Sequence, residues 1–192
     1  MADIGHMAGE DTGRGYHIGT ASGRPYWPAD PREEDIRVED LGVQLSRICR
    51  FNGALDPKVP GIYSVAQHLC IAHDVAPSEH KKEALLHDAH EVYVHDIVKP
   101  FKLMLEDYNA FEELNERCLR RRFDLPKKIS PAVKEIDKRL FATERRDLCP
   151  EVADKRLDWG ALPEPFAFTI KPWVPQRARA EFLRRCKELG IQ

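Results

Sequence analysis

A carboxylate, Asp137, stands in the middle of the most regular apolar stripe of this 192-residue chain. Ser130-Pro131 has the form of a helix cap followed by proline at the first helical position. From there Val133, Ile136, Leu140, Phe141 and Leu148 recur at helical spacing, and the pattern stops before Pro150. Leu140 and Phe141 lie three and four residues beyond Asp137, on its own face of the helix. The spacing therefore predicts a buried carboxylate. An ionised carboxylate left unpaired in a core costs several kcal/mol, so it requires a cation, strong hydrogen-bond donors or a proton. A metal ion or a nearby arginine would meet that need.

Composition narrows what the chain can be. A hydrophobic content of 42% supports one real core. No uncharged apolar run approaches the roughly 20 residues of a membrane span. Thirty basic and 32 acidic side chains give a net charge of −2, so no global positive field favours long nucleic acid. The five cysteines are odd in number and contain no C-x-x-C pair, which fits a reducing compartment better than a disulfide framework. The glycine-rich start lacks the apolar stretch of a signal peptide. Residues 1–19 read as a flexible segment and 20–192 as a single domain.

The rest of the pattern is mostly helical. Leu41, Leu45 and Ile48 recur at helical spacing and end near Arg50-Phe51-Asn52-Gly53, where Asn-Gly marks a turn. Ser64-Val65-Ala66-Gln67 has capping-box form, which starts a helix carrying His68 in its first turn. A helix is expected from about Glu79 to Tyr93, with His87-Asp88 following the apolar Ala84-Leu85-Leu86. Another is expected from about Tyr108 to Phe123, with Phe111, Leu114 and Cys118 on one side. A last one runs from Pro175 to Leu189, ended by Gly190. An exposed apolar stripe on this last helix would permit a homo-oligomer. The aromatic and proline-rich stretch around Pro25-Tyr26-Trp27-Pro28 leaves room for short strands near the amino end. The fold class is all-α.

Two imidazoles and two carboxylates, His68, His87, Asp88 and Asp137, fall on three separate helices. Mixed nitrogen and oxygen ligation suits a borderline or hard divalent ion that keeps open water positions. Glu91 lies three residues after Asp88 and four after His87, on the same helix side, placed to take a proton from a metal-activated water. Read alone, it is also a surface pairing partner for His95 or His87.

The ordered set His68, His87-Asp88, Asp137 resembles the H…HD…D signature of the HD-domain phosphohydrolases. The likeness covers the chain from about Thr20 to Leu189. Five segments, at residues 35–40, 49–53, 63–68, 85–93 and 96–102, resemble the branch of bacterial 5′-deoxynucleotidases and phage dATP triphosphohydrolases. This resemblance implies an HD-domain helical bundle and one divalent ion (Co, Mn, Zn, Fe or Mg) on those four residues. It also implies a deoxynucleotide substrate and a bacterial cytoplasm, or a host cytoplasm if the gene is a phage's. In that branch Arg50 would sit by the phosphate and sugar, Phe51 would crowd the ribose 2′ position, and Asp96 would reach the 3′-hydroxyl. Arginine offers a planar fork of donors to phosphate oxygens, and a ring against C2′ rejects a hydroxyl by clash. Lys99, Lys102 and His95 are further candidates for phosphate contact. Phe51 stands where the deoxynucleotidases often carry Trp, and His90 where a small residue is common. The expected reaction is attack by metal-activated water on the α-phosphorus with Glu91 as base. A monophosphate would release phosphate, and a triphosphate, dATP above all, would release tripolyphosphate. The alternative is a metal- and nucleotide-binding regulatory module without turnover.

Overall fold

Helices make up nearly all the regular structure in the computed structural model, which describes residues 13–151 and 161–192. A two-residue antiparallel pair, β1 (Ile18–Gly19) and β2 (Pro25–Tyr26), comes first, in the register Ile18 to Tyr26. Eight α-helical segments follow among the described residues: α1 (Val38–Leu45), α2 (Val65–Val75), α3 (Lys81–Leu86), α4 (Glu91–Val94), α5 (Lys99–Lys102), α6 (Glu106–Arg122), α7 (Pro131–Leu148) and α8 (Pro175–Glu188). The expected all-α fold with short amino-end strands is what forms. Of the flexible lead-in expected over 1–19, residues 1–12 lie outside the described residues. Arg14 belongs to the fold: it bonds Asp30 and Asp35, at 2.8 and 2.7 Å, and lies 4.0 Å over the Trp27 ring.

α2 is the central helix and packs on α3, α7 and α8. One apolar cluster, built on Tyr26, Leu41, Leu45, Leu69, Leu85, Leu119 and Phe182, joins β2, α1, α2, α3, α6 and α8. A smaller one, with Tyr63, Ala72, Ala84, Val133, Leu140 and Leu148, joins α2 and α3 to α7. Ser64 caps α2 as its sequence requires, its hydroxyl accepting from Gln67 N at 3.3 Å. The Gln67 side chain does not complete the capping box. Its buried amide donates to Lys171 O and accepts from Trp173 N, so it fastens the strand-like approach to α8 instead. A buried amide needs both a donor and an acceptor, and that passing backbone supplies them.

The helix expected over 79–93 is broken. Its middle, from His87 to His90, is a turn whose bonds span three residues: Ala89 N to Leu86 O, Glu91 N to Asp88 O and Tyr93 N to His90 O. His87 Nδ1 bonds Ala84 O at 2.9 Å, taking the carbonyl that a continuous helix would offer to the amide of residue 88. α7 follows its expected bounds, capped by Ser130, whose hydroxyl accepts from Val133 N at 3.3 Å. In α6 the apolar side is only half used: Cys118 is buried, whereas Phe111 is exposed. The stripe of α8 is not exposed as expected. Ala178, Phe182 and Cys186 are buried against the bundle, and α1 and α8 approach so closely that a Cβ at Gly42 would meet Leu183 at 2.8 Å. All five cysteines are free, and no helix among the described residues is long and apolar enough to cross a membrane.

Glu83 ties three helices together. Its buried carboxylate accepts from the Ser130 amide at the start of α7 (2.8 Å) and from Arg120 Nη1 of α6 (3.3 Å). Burial would raise its pKa, but these donors hold it below the usual carboxylate range. Its contribution is therefore complete above the unfolded value of about 4.3 and fades as pH falls through the lower folded value. Replacing Glu83 with Ala should cost about 2–4 kcal/mol in urea unfolding at neutral pH, because Arg120 loses a buried partner. The deficit should shrink on acidification; a deficit independent of pH would show that the carboxylate charge is not what matters.

Candidate metal centre

Three elements deliver four side chains to one point. α2 carries His68, the turn after α3 carries His87 and Asp88, and the second turn of α7 carries Asp137. One ligand atom from each lies within 4.8 Å of all the others. The two Nε2 atoms are 3.3 Å apart. Asp88 Oδ2 lies 3.7 and 3.3 Å from the His68 and His87 Nε2 atoms, and Asp137 Oδ1 lies 3.4 and 3.8 Å from them. Donors about 2.1 Å from a shared ion stand about 3.0–4.2 Å from one another, so these spacings are those of one coordination shell. The cluster could hold a metal ion.

The protons on the imidazoles support this. His68 Nδ1 lies 2.6 Å from Glu144 Oε1, and His87 Nδ1 lies 2.9 Å from Ala84 O. Both partners are acceptors, so each Nδ1 carries the hydrogen, and in the neutral ring each Nε2 turns a lone pair to the centre. Glu144 is fully buried and also accepts from the Tyr63 hydroxyl at 2.7 Å. Burial alone would raise its pKa, but Arg50, His68 and Tyr63 hold it low enough to stay ionised. Two lone pairs and two carboxylate oxygens then face one another, and only a cation or added protons relieves them. Burial likewise opposes ionisation of Asp88 and Asp137, yet the imidazoles draw both far below the usual range. The same attraction raises His87 against the effect of burial.

Asp137 is not buried as its stripe predicts. Its side chain is 36% exposed and that of Asp88 24%, while both histidines are buried, so the centre opens to solvent on its carboxylate side. The stripe puts Asp137 at the edge of α7's buried face, not its middle. Glu144 occupies the buried position expected for Asp137. Sequence reasoning missed it, although a residue seven positions after Asp137 returns to the same face of α7.

The other expected site residues are distributed as follows. Arg50 opens a 3-10 turn, Arg50–Gly53, just after a backbone bridge between Cys49 and Ser64. Its guanidinium lies 3.6 Å from Asp88 Oδ2 and 3.4 Å from Glu144 Oε2. Phe51 and Asn52 adopt left-handed backbone angles, φ 56° and 52°, which Asn tolerates but which strain Phe51. The Phe51 ring packs 5.9 Å from that of Phe141 and 5.8 Å from the Arg50 guanidinium. Glu91, the first residue of α4, is buried, so it is no surface pairing partner, and its Oε2 has no hydrogen-bond partner. Burial first, then Asp88 and Asp96, raise its carboxyl well above the ordinary range. Burial also raises Asp96. His95 is held at φ 65° and ψ 161°, a region that favours glycine. Lys99 is exposed, while Lys102 is bound to Glu112 of α6. His90 faces neither metal nor solvent: it is buried, with Nε2 3.8 Å from Glu112 Oε1.

A cavity of about 680 Å³ adjoins this arrangement, between Arg47–Cys49, Asn52–Gly53 and the His95–Val98 stretch, with Phe101 and Leu105 beyond. None of the four clustered ligands lines it. Asp96 and the Arg50 turn are its link to the cluster, and its size suits a small organic ligand.

Fold and site together define a helical protein with a two-histidine, two-aspartate centre open to solvent. No protein-family model matches the chain. It is 38% identical over 176 residues to Escherichia coli "Uncharacterized protein YfdR", covering 90% of this chain and 95% of that protein. It is 27% identical over 186 residues to Rhodobacter capsulatus "Uncharacterized protein RCAP_rcc00048", covering 85% and 90% respectively. The chain belongs to the family of YfdR.

If Glu144 sets the His68 tautomer, Glu144→Gln should weaken Zn²⁺ or Mn²⁺ binding about 10–100-fold in a chelator competition. Unchanged affinity in a folded variant would remove Glu144 from this role.

Proposed function

We propose that this protein is a divalent-metal-dependent phosphohydrolase of the cytoplasm that cleaves the 5′ phosphate ester of deoxynucleotides. The observation that carries the reading is the convergence of His68, His87, Asp88 and Asp137 beside Arg50 and a buried, unpartnered oxygen of Glu91. The resemblance to the HD-domain phosphohydrolases supports the substrate class. The donor set suits Mn²⁺, Co²⁺, Fe²⁺, Zn²⁺ or Mg²⁺. Such an ion, when bound, supplies Lewis acidity and lowers the pKa of a water molecule towards neutrality.

The chain's own residues supply the rest. His68 and His87 keep their lone pairs on the centre because Glu144 and Ala84 hold the opposite ring protons. Arg50 remains charged, and its fork can exchange Asp88 and Glu144 for phosphate oxygens as negative charge builds on them. Glu91 takes the proton at Oε2, the atom for which the protein offers no partner. Its carboxyl, raised by burial and by Asp88 and Asp96, holds a proton more readily than an exposed glutamate and can pass it to the departing 5′ oxygen. Asp96, at the border of the cavity, accepts from the sugar 3′-hydroxyl. Phe51, held by its strained turn against Phe141, crowds the 2′ position.

The test is a panel of deoxynucleoside mono- and triphosphates and their ribose counterparts, with each metal in turn, read as released phosphate or tripolyphosphate. Turnover should require the metal and favour deoxyribose. No release from any deoxynucleotide under any metal would defeat the reading. Glu91→Gln should lower kcat by at least about 100-fold with metal content unchanged, whereas Asp137→Ala should lose metal as well. Loss of metal from Glu91→Gln would move Glu91 into the ligand shell.

A further inference from the structure

Lys102 is the second cation near Glu91, and it is already engaged. Its ammonium contacts Glu112 Oε1, on the face of α6 that packs towards α5. Both side chains are largely covered, at 26% and 18% exposure, so the pair is not a loose surface contact. The surrounding groups hold it in place. Asn109 Nδ2 donates to Lys102 O at 2.7 Å, and the Tyr108 hydroxyl lies 3.4 Å from Glu112 Oε1 while donating to His95 O at 3.0 Å. His90 approaches the same carboxylate oxygen from below, at 3.8 Å.

The charges around Glu91 are Asp88 and Asp96 against Arg50 and Lys102. Arg50 is shared between Asp88 and Glu144, and Lys102 is held by Glu112. Both cations therefore already have carboxylates, but a bound metal would compete for Asp88, whereas Glu112 is not one of the clustered ligands. Lys99 and Arg47 stand exposed, Arg47 on the cavity wall, and neither is among the main charges acting on Glu91. A single phosphate group can be met by a metal ion and Arg50. A longer phosphate chain brings further negative charge and needs a cation beyond them.

On the reading that the site takes phosphate esters, we propose that Glu112 determines specificity for phosphate-chain length: it occupies Lys102, denies that cation to a triphosphate tail, and makes monoesters the preferred substrates. It acts through Lys102 and touches no substrate itself.

Isothermal titration of the metal-saturated protein with inorganic tripolyphosphate and with orthophosphate tests this without relying on turnover. Glu112→Gln should bind tripolyphosphate about ten-fold tighter than the unmodified protein, as one freed charged contact would give, with orthophosphate affinity unchanged. The gain should vanish in the double variant Glu112→Gln, Lys102→Gln. It should be absent in Glu112→Asp, which keeps the charge, and in Glu113→Gln, which makes the same charge change at an exposed neighbour on α6. In turnover, the kcat/KM ratio of deoxynucleoside triphosphate to monophosphate should rise about ten-fold in Glu112→Gln, through KM and not kcat. Tripolyphosphate affinity that is unchanged, or that rises equally for orthophosphate or with Lys102 removed, overturns the proposal. An unmodified protein that hydrolyses no deoxynucleotide defeats the proposed activity, and the tripolyphosphate and orthophosphate comparison still decides the role of Glu112.

Discussion

Two hydrogen bonds on the far sides of two imidazole rings govern this molecule. Glu144 and Ala84 O can only accept, so His68 and His87 must donate from Nδ1 and, as neutral rings, aim Nε2 lone pairs at each other across 3.3 Å. With Asp88 and Asp137 added and the rings neutral, the point where the helices meet brings four acceptors together. The protein keeps this unfavourable convergence because it is rigidly supported: Glu144 is fully buried and held by Tyr63, His68 and Arg50. Removing one member of such a network leaves others buried and unsatisfied, which makes its geometry hard to relax.

The fold is shaped around this demand. α2 contributes side chains to both apolar clusters and carries the buried His68 with its polar end at the centre. The chain between α3 and α4 gives up regular helix so that His87 can bond Ala84 O and Asp88 can turn towards α7. The Arg50 turn accepts left-handed angles at Phe51 and Asn52, and the Cys49–Ser64 bridge holds it against the start of α2. Strain and helix breaks of this kind persist only where the surrounding packing overrides them. Here they coincide with the polar centre and the adjoining cavity.

Much of this was legible in the chain. Ser130-Pro131 and Ser64 announced helices that start where they were expected, because a cap acts within one turn and needs nothing from the rest of the fold. The four clustered residues were readable as an ordered set, each beside an apolar run that had to be buried. Glu144 was equally present but not singled out, because a glutamate two turns past Asp137 in a helix rich in charge looks like a solvated residue until Tyr63 and His68 are placed against it. The break at His87 was also hidden, since Ala84 to Tyr93 carries no proline or glycine to announce it.

By itself, then, the sequence determined the longer helices and their apolar faces, the Ser64 and Ser130 caps, and the identity of the four converging side chains. Those are consequences of local propensity and of periodic burial, which a chain carries along its length. Tertiary structure alone decided that Asp137 lies at the solvent edge and Glu144 in the interior, that Gln67 fastens the approach to α8 and not its own cap, and that Lys102 is held by Glu112. Each of these depends on which partner a polar group meets across the bundle. Such partners lie from 10 residues away, for Lys102 and Glu112, to 106, for Gln67 and Trp173, and no local rule ranks them.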